Sequence, residues 1–130
     1  MQKTINIGGK DTLCTCNALT PYLYTQIFRK DFLTQLMGFR NMAGKSAETI
    51  NDNDVSEISK RTSAFAEMAF VFAKQAEIKT AAELVKLTEI DFYNWLANFE
   101  QGAFMNAETM TDILSLWQGN TAGTTESKNA

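Results

Sequence analysis

From Asp54 to Ile78 the chain repeats at alternate steps of three and four: Val55, Ile58, Thr62, Phe65, Ala69, Phe72 and Ala76 stack along one seam of a helix. Ala66, Phe70 and Ala73 widen the seam, and Met68 and Val71 carry it further round, so residues 64–73 are greasy on nearly every side except at Glu67. A helix of this kind must be surrounded, by its own domain or by another protein. The pattern predicts a long helix capped by Asp54 and fading near Ile78.

Around it the periodicities change. Thr4-Ile5-Asn6-Ile7 alternates polar with apolar, Gly8-Gly9 follows, and Thr12-Leu13-Cys14-Thr15-Cys16 returns with strand-favouring types, which reads as a hairpin around Gly8-Gly9-Lys10-Asp11. Two strands alone are marginal in water, so the hairpin needs helices on one face or a strand from a neighbouring subunit. Thr20 before Pro21 predicts a capped first helix ending near Lys30, entered through a turn at Asn17. Asp31 predicts a second, with Phe32, Leu33, Leu36, Met37 and Phe39 on one side, and the small polar residues from Arg40 to Asn53 predict a loop. Thr80 with Glu83, and Thr88 with Asp91, have capping-box spacing for a short helix over 81–87 and for a further helix that Gly102 ends. In the latter Phe92, Trp95, Leu96 and Phe99 share a face, and after the cap at Asn106 the residues Met110, Ile113, Leu114 and Trp117 repeat that spacing. The polar residues 119–130 have almost nothing to bury and predict a disordered tail after a single domain over 1–118. The expected architecture is α+β and predominantly helical: a hairpin, then about six helices around the central apolar one.

Composition narrows the chemistry. The chain has 130 residues with 45% hydrophobic and 21% charged, ordinary for one globular domain. Its net charge of −3 provides no field to gather phosphates, so nucleic acid is not an expected partner and a DNA-binding regulator is disfavoured. The N-terminal residues lack the apolar core of a secretory signal, and the run over 64–73 is about half of the roughly twenty residues a membrane span needs. A cytosolic protein with no membrane partner is expected.

No histidine is present, which removes the usual base at neutral pH. Cys14 and Cys16 point to the same face of a predicted strand, where a mutual disulfide is strained, and two cysteines fall short of a zinc set. Asp52, Asp54 and Ser56 have the spacing of a calcium loop, but its sixth position holds Glu57 instead of glycine and its twelfth Ser63 instead of glutamate, so helix capping explains them better. Gly8-Gly9-Lys10 lacks the rest of a phosphate loop and reads as a turn. The expectation is a non-enzyme with no catalytic residue, no metal and no cofactor.

Four segments carry a family likeness. Ile5-Asn6-Ile7-Gly8-Gly9-Lys10-Asp11, Asn17-Ala18-Leu19, Ala69-Phe70-Val71-Phe72-Ala73-Lys74-Gln75-Ala76 and Asp112-Ile113-Leu114-Ser115-Leu116-Trp117 resemble the tail assembly chaperones of long-tailed bacteriophages and prophages of Gram-positive bacteria. The resemblance implies an assembly factor in the host bacterial cytoplasm that keeps the tape-measure protein soluble until tail-tube subunits polymerise around it. It also implies that a frameshifted longer product recruits the tail-tube protein. An alternative is a head-tail connector or minor tail subunit retained in the virion. Short helices cannot easily hide every aromatic group here, and exposed apolar patches mark partners. Phe99, Phe104 and Trp117 are the candidate partner-binding residues, with methionines such as Met37, Met42, Met68, Met105 and Met110 lending adaptability, and self-association is a further expectation.

Overall fold

The computed structural model describes residues 1–32, 34 and 52–117, and of residues 52–62 the backbone only. Strands β1 (Gln2–Ile7) and β2 (Lys10–Thr15) pair antiparallel, with Ile7 opposite Lys10 and Gln2 opposite Thr15. Gly8 and Gly9 have φ of 57° and 86°, and a two-residue turn of this hand requires positive φ at both positions. Gly8 has a second reason to lack a side chain, because a Cβ there would come within 2.9 Å of the Ala103 Cβ. Ile5, Ile7, Cys14 and Cys16 are fully buried on one face, and the other face is polar apart from Leu13. This alternation turns the hairpin into a half-buried wall against the helices.

Helix α1 spans Thr20–Phe28 with Pro21 in its first turn, as expected, but Thr20 is not its cap. Leu19 occupies that position without a side-chain bond, and Thr20 is turned fully inward. Its hydroxyl donates to Gln75 Oε1 (2.5 Å) and accepts from the Asn17 amide (2.9 Å), while Asn17 Oδ1 receives Leu19 N and Gln75 Nε2. A hydroxyl buried this deeply must be paired, so a partner on a distant helix displaces the local cap. The turn expected at Asn17 is present, with Thr20 N donating to Asn17 O. The helix stops at Phe28, two residues short of Lys30, with Arg29 left-handed at φ 56°.

Helix α2 (Asp52–Glu77) begins two residues before the expected cap at Asp54, so the loop expected from Arg40 to Asn53 does not reach Asn53. All of residues 64–73 are buried, and the helix packs against β2 and α1. Helix α3 (Ala81–Leu84) is shorter than expected, and Thr80 makes no side-chain cap, so its capping box does not form. The amides of Lys86 and Leu87 instead bond three residues back, and Gln26 Nε2 takes the Val85 carbonyl at 2.6 Å, drawing the chain into turns. Helix α4 (Glu89–Leu96) does carry the predicted box between Thr88 and Asp91 and packs on α2. It ends at Leu96, well before Gly102, where Asn98 Nδ2 bonds back to the carbonyls of Asn94 and Trp95. Helix α5 covers 107–117, and Asn106 Oδ1 accepts Glu108 N (2.9 Å) and Thr109 N (3.1 Å) as the expected cap.

The fold is thus α+β, an N-terminal hairpin followed by helices, five of them among the described residues. Of the helix expected from Asp31 only Phe32 and Thr34 are described, and Leu33, Leu36, Met37, Phe39, the loop up to residue 51 and the tail 119–130 lie outside the described residues. Among the described residues no helix is long and apolar enough to cross a membrane.

Candidate partner-binding surface

Aromatic rings tie the helices together through edge contacts. Phe70 on α2 meets Phe28 (6.2 Å), Phe92 (5.5 Å) and Trp95 (5.6 Å), and Trp95 meets Phe99 (4.7 Å) and Phe104 (5.9 Å). A second group joins Tyr24, Phe28, Phe32 and Trp117, the last pair with centroids 4.5 Å apart. Offset and edge geometries of this kind add specificity to the burial of the rings.

The three residues singled out from sequence fall in different places. Phe99 and Phe104 lie together, 5.6 Å apart, and Trp117 belongs to the other group. Phe104 is 6% exposed and offers almost nothing to a partner in this conformation, because the turns over 101–105 fold it under Trp95. Phe99 and Trp117 are half-buried, and Lys10 Nζ stands 5.3 Å above the Phe99 ring.

Among the described residues the large apolar side chains that do face outward are others: Tyr22 (74% exposed), Ile90 (69%), Tyr93 (59%) and Met105 (65%), with Met1, Val85 and Leu13 less so. Tyr22 is one turn before Gln26, whose amide holds the Val85 carbonyl. A groove lined by Gln26, Arg29, Leu87 and Ile90 continues from there, and Tyr93 follows Ile90 by one turn of α4. Exposed apolar side chains thus stand on α1, on the α3–α4 connection and on α4, around a groove that also carries Arg29, Thr88 and Glu89. Their sequence signal was available: Ile90 and Tyr93 are large apolar residues that fall off the Phe92-Trp95-Leu96-Phe99 stripe.

Polar chemistry in the interior is structural. Glu67, the one charge in the apolar run, is buried and accepts from Tyr24 Oη (2.7 Å) and Lys30 Nζ (2.9 Å), which pins α1 and the segment after it to α2. A polar depression of about 440 Å³ lies beside the hairpin turn and includes Glu100, Glu108 and Asp112. Asp112 pairs with Lys3 at 3.4 Å, and the Thr109 hydroxyl there donates to the Asn6 carbonyl. Among the described residues no three of His, Cys, Asp and Glu gather as metal ligands.

Burial pushes the Cys14 thiol from 9.0 up to about 12. Cys16 is raised as well, by burial against the opposing influence of the Thr20 hydroxyl and the N-terminal ammonium. Both thiols are free. The unfolded chain releases the Cys14 proton near its ordinary value while the folded chain retains it, so rising pH between 9.0 and about 12 favours unfolding. The expected loss is roughly 1.4 kcal/mol per pH unit in that window, read as the difference between wild type and Cys14→Ala in urea midpoints. An aromatic disulfide reagent at pH 8 should titrate neither thiol in the native protein and both in urea.

In comparisons with known proteins, no family model, no curated protein and no solved structure matches this chain.

Proposed function

We propose that this protein is a tail assembly chaperone of a long-tailed phage or prophage, a non-enzymatic factor that holds the tape-measure protein soluble in the host cytoplasm. In that reading α2 is the central member of about six helices, and a longer frameshifted form engages the tail-tube protein. The observation that carries the reading is the exposure of Tyr22, Val85, Ile90 and Tyr93, apolar surface beyond what the domain needs for its own core. Tape-measure chains are long amphipathic helices, and such a helix laid on this surface would cover Ile90 and Tyr93 together. Burying each is worth about 1.5–3 kcal/mol, and many copies along one client multiply the effect. Phe99 and Phe104 lie together against Trp95, and Trp117 lies against Phe32, so the contact at Ile90 and Tyr93 is separate from all three.

Co-expression with the tape-measure protein of the same phage tests this. The chaperone should raise the soluble fraction of the client several-fold, and Ile90→Ser/Tyr93→Ser should return it towards the level without chaperone while circular dichroism and melting stay unchanged. A client equally insoluble with and without this chain would refute the reading. Presence of the chain at fixed copy number in purified virions would instead support a connector or minor tail subunit.

A further inference from the structure

The hairpin has two edges, and they are treated differently. Met1 and Cys16 exchange both backbone hydrogen bonds, so the ladder's bonded pairs continue at every second step: Lys3 with Cys14, Ile5 with Thr12, Ile7 with Lys10. The N–H and C=O groups of Gln2, Thr4 and Asn6 consequently point away from β2, and those of Asp11, Leu13 and Thr15 away from β1. On the β1 edge α5 takes one group, with Thr109 Oγ1 donating to the Asn6 carbonyl, and Asp112 pairs with the Lys3 side chain, while the outward groups of Gln2 and Thr4 meet no hydrogen-bond partner among the described residues. Along the β2 edge the outward groups of Asp11, Leu13 and Thr15 meet no hydrogen-bond partner among the described residues. A shallow groove runs beside it, floored by Ala73 and Ala76 and closed by Trp95.

Natural edges are usually guarded by a bulge, a proline or a charge in the middle of the strand. This one has none of them. Its central residue is Leu13, 44% exposed, the single apolar side chain on the outer face of the two strands. The Lys10 ammonium at one end is drawn aside to the Asn98 carbonyl, and the Asp11 carboxylate is held by Asn6 Nδ2.

We propose that the β2 edge pairs with the β2 edge of a second copy of this chain, across a two-fold axis at Leu13, to form a four-stranded antiparallel sheet. The register is self-consistent. With Leu13 opposite its own copy, Asp11 falls opposite Thr15 of the second copy, and six main-chain hydrogen bonds form from groups that have no hydrogen-bond partner among the described residues. The two Leu13 side chains meet on the exposed face, where cross-strand apolar neighbours stabilise a sheet. The two Asp11 carboxylates, four residues apart along the ladder, stay roughly 13 Å from one another and do not oppose the pairing. An interface built from one patch on both subunits closes as a dimer and does not propagate. The inference stands whether or not the client is a tape-measure protein.

Sedimentation equilibrium of the full chain from micromolar to several hundred micromolar reads the outcome. Wild type should reach twice the 14.5 kDa chain mass. Leu13→Lys and Leu13→Glu should each weaken self-association about tenfold or more, because like charges then lie directly opposite, and an equimolar mixture of the two should restore the dimer. Leu13 is exposed, so both variants should keep the melting temperature of the monomer. Leu13→Cys should form an intermolecular disulfide on mild oxidation, since bonded cross-strand pairs place Cα atoms about 5.5 Å apart and Cys14 and Cys16 are buried. Wild type that remains monomeric throughout, as it would if the edge served an extended segment of another polypeptide, overturns the proposal. So does a dimer indifferent to both charge variants.

Discussion

Replacing Phe70 by alanine should cost about 3–5 kcal/mol of folding stability, a large share of the roughly 5–15 kcal/mol that a domain of this size holds. Phe70 is fully buried and is the ring through which α1, α2 and α4 meet, by way of Phe28, Phe92 and Trp95. The loss combines the transfer of the ring to water with a cavity that three aromatic neighbours cannot refill, because each is held by a further partner. Phe70→Leu, which retains most of the volume, should cost about half as much. Urea titration monitored by far-ultraviolet circular dichroism checks both, and the midpoint should move at an unchanged slope. A Phe70→Ala protein within about 1 kcal/mol of wild type would mean that the helices are held together elsewhere.

The second large effect belongs to Glu67. Glu67→Ala removes an acceptor of the fully buried Tyr24 hydroxyl and a partner of Lys30, and should cost about 2–4 kcal/mol. Most of that comes from the tyrosine side, because Lys30 is half exposed and water screens its share. Glu67→Gln keeps an acceptor for Tyr24 and should cost only about 1 kcal/mol. Tyr24→Phe combined with Glu67→Leu removes both polar partners at once and should recover much of the Glu67→Ala loss, so that the cycle reports a coupling above about 1 kcal/mol. Additive single and double changes would place Tyr24 and Glu67 in energetically separate environments.

These two residues also show how far the sequence could be read. The periodic run over 64–73 identified the segment that is buried, and the interruption at Glu67 was visible, but its partners were not, since Tyr24 and Lys30 are 43 and 37 residues away. Local chemistry was legible wherever it was decided locally. The Gly8-Gly9 turn, the Thr88–Asp91 box and the Asn106 cap all form as their spacing dictates. Where a distant group competes, the local rule loses: Gln75 takes the Thr20 hydroxyl, and Gln26 takes the Val85 carbonyl beside the shortened α3. The candidate surface follows the same logic. A helical stripe tells which residues share a face, and the turns after α4 decide which of them are covered. Those turns bury Phe104, leave Phe99 half-covered, and do not cover Ile90 and Tyr93, which fall off the stripe and stay exposed.

The central claim is that this protein acts by offering apolar helical surface to another polypeptide. Titration calorimetry of the purified chain against a soluble helical fragment of the tape-measure protein, repeated at several temperatures, tests it most directly. The account predicts saturable binding with a negative heat-capacity change, weakened at least about tenfold by Ile90→Ser/Tyr93→Ser. Binding of equal strength by wild type and that variant, or no binding at any temperature, would contradict it.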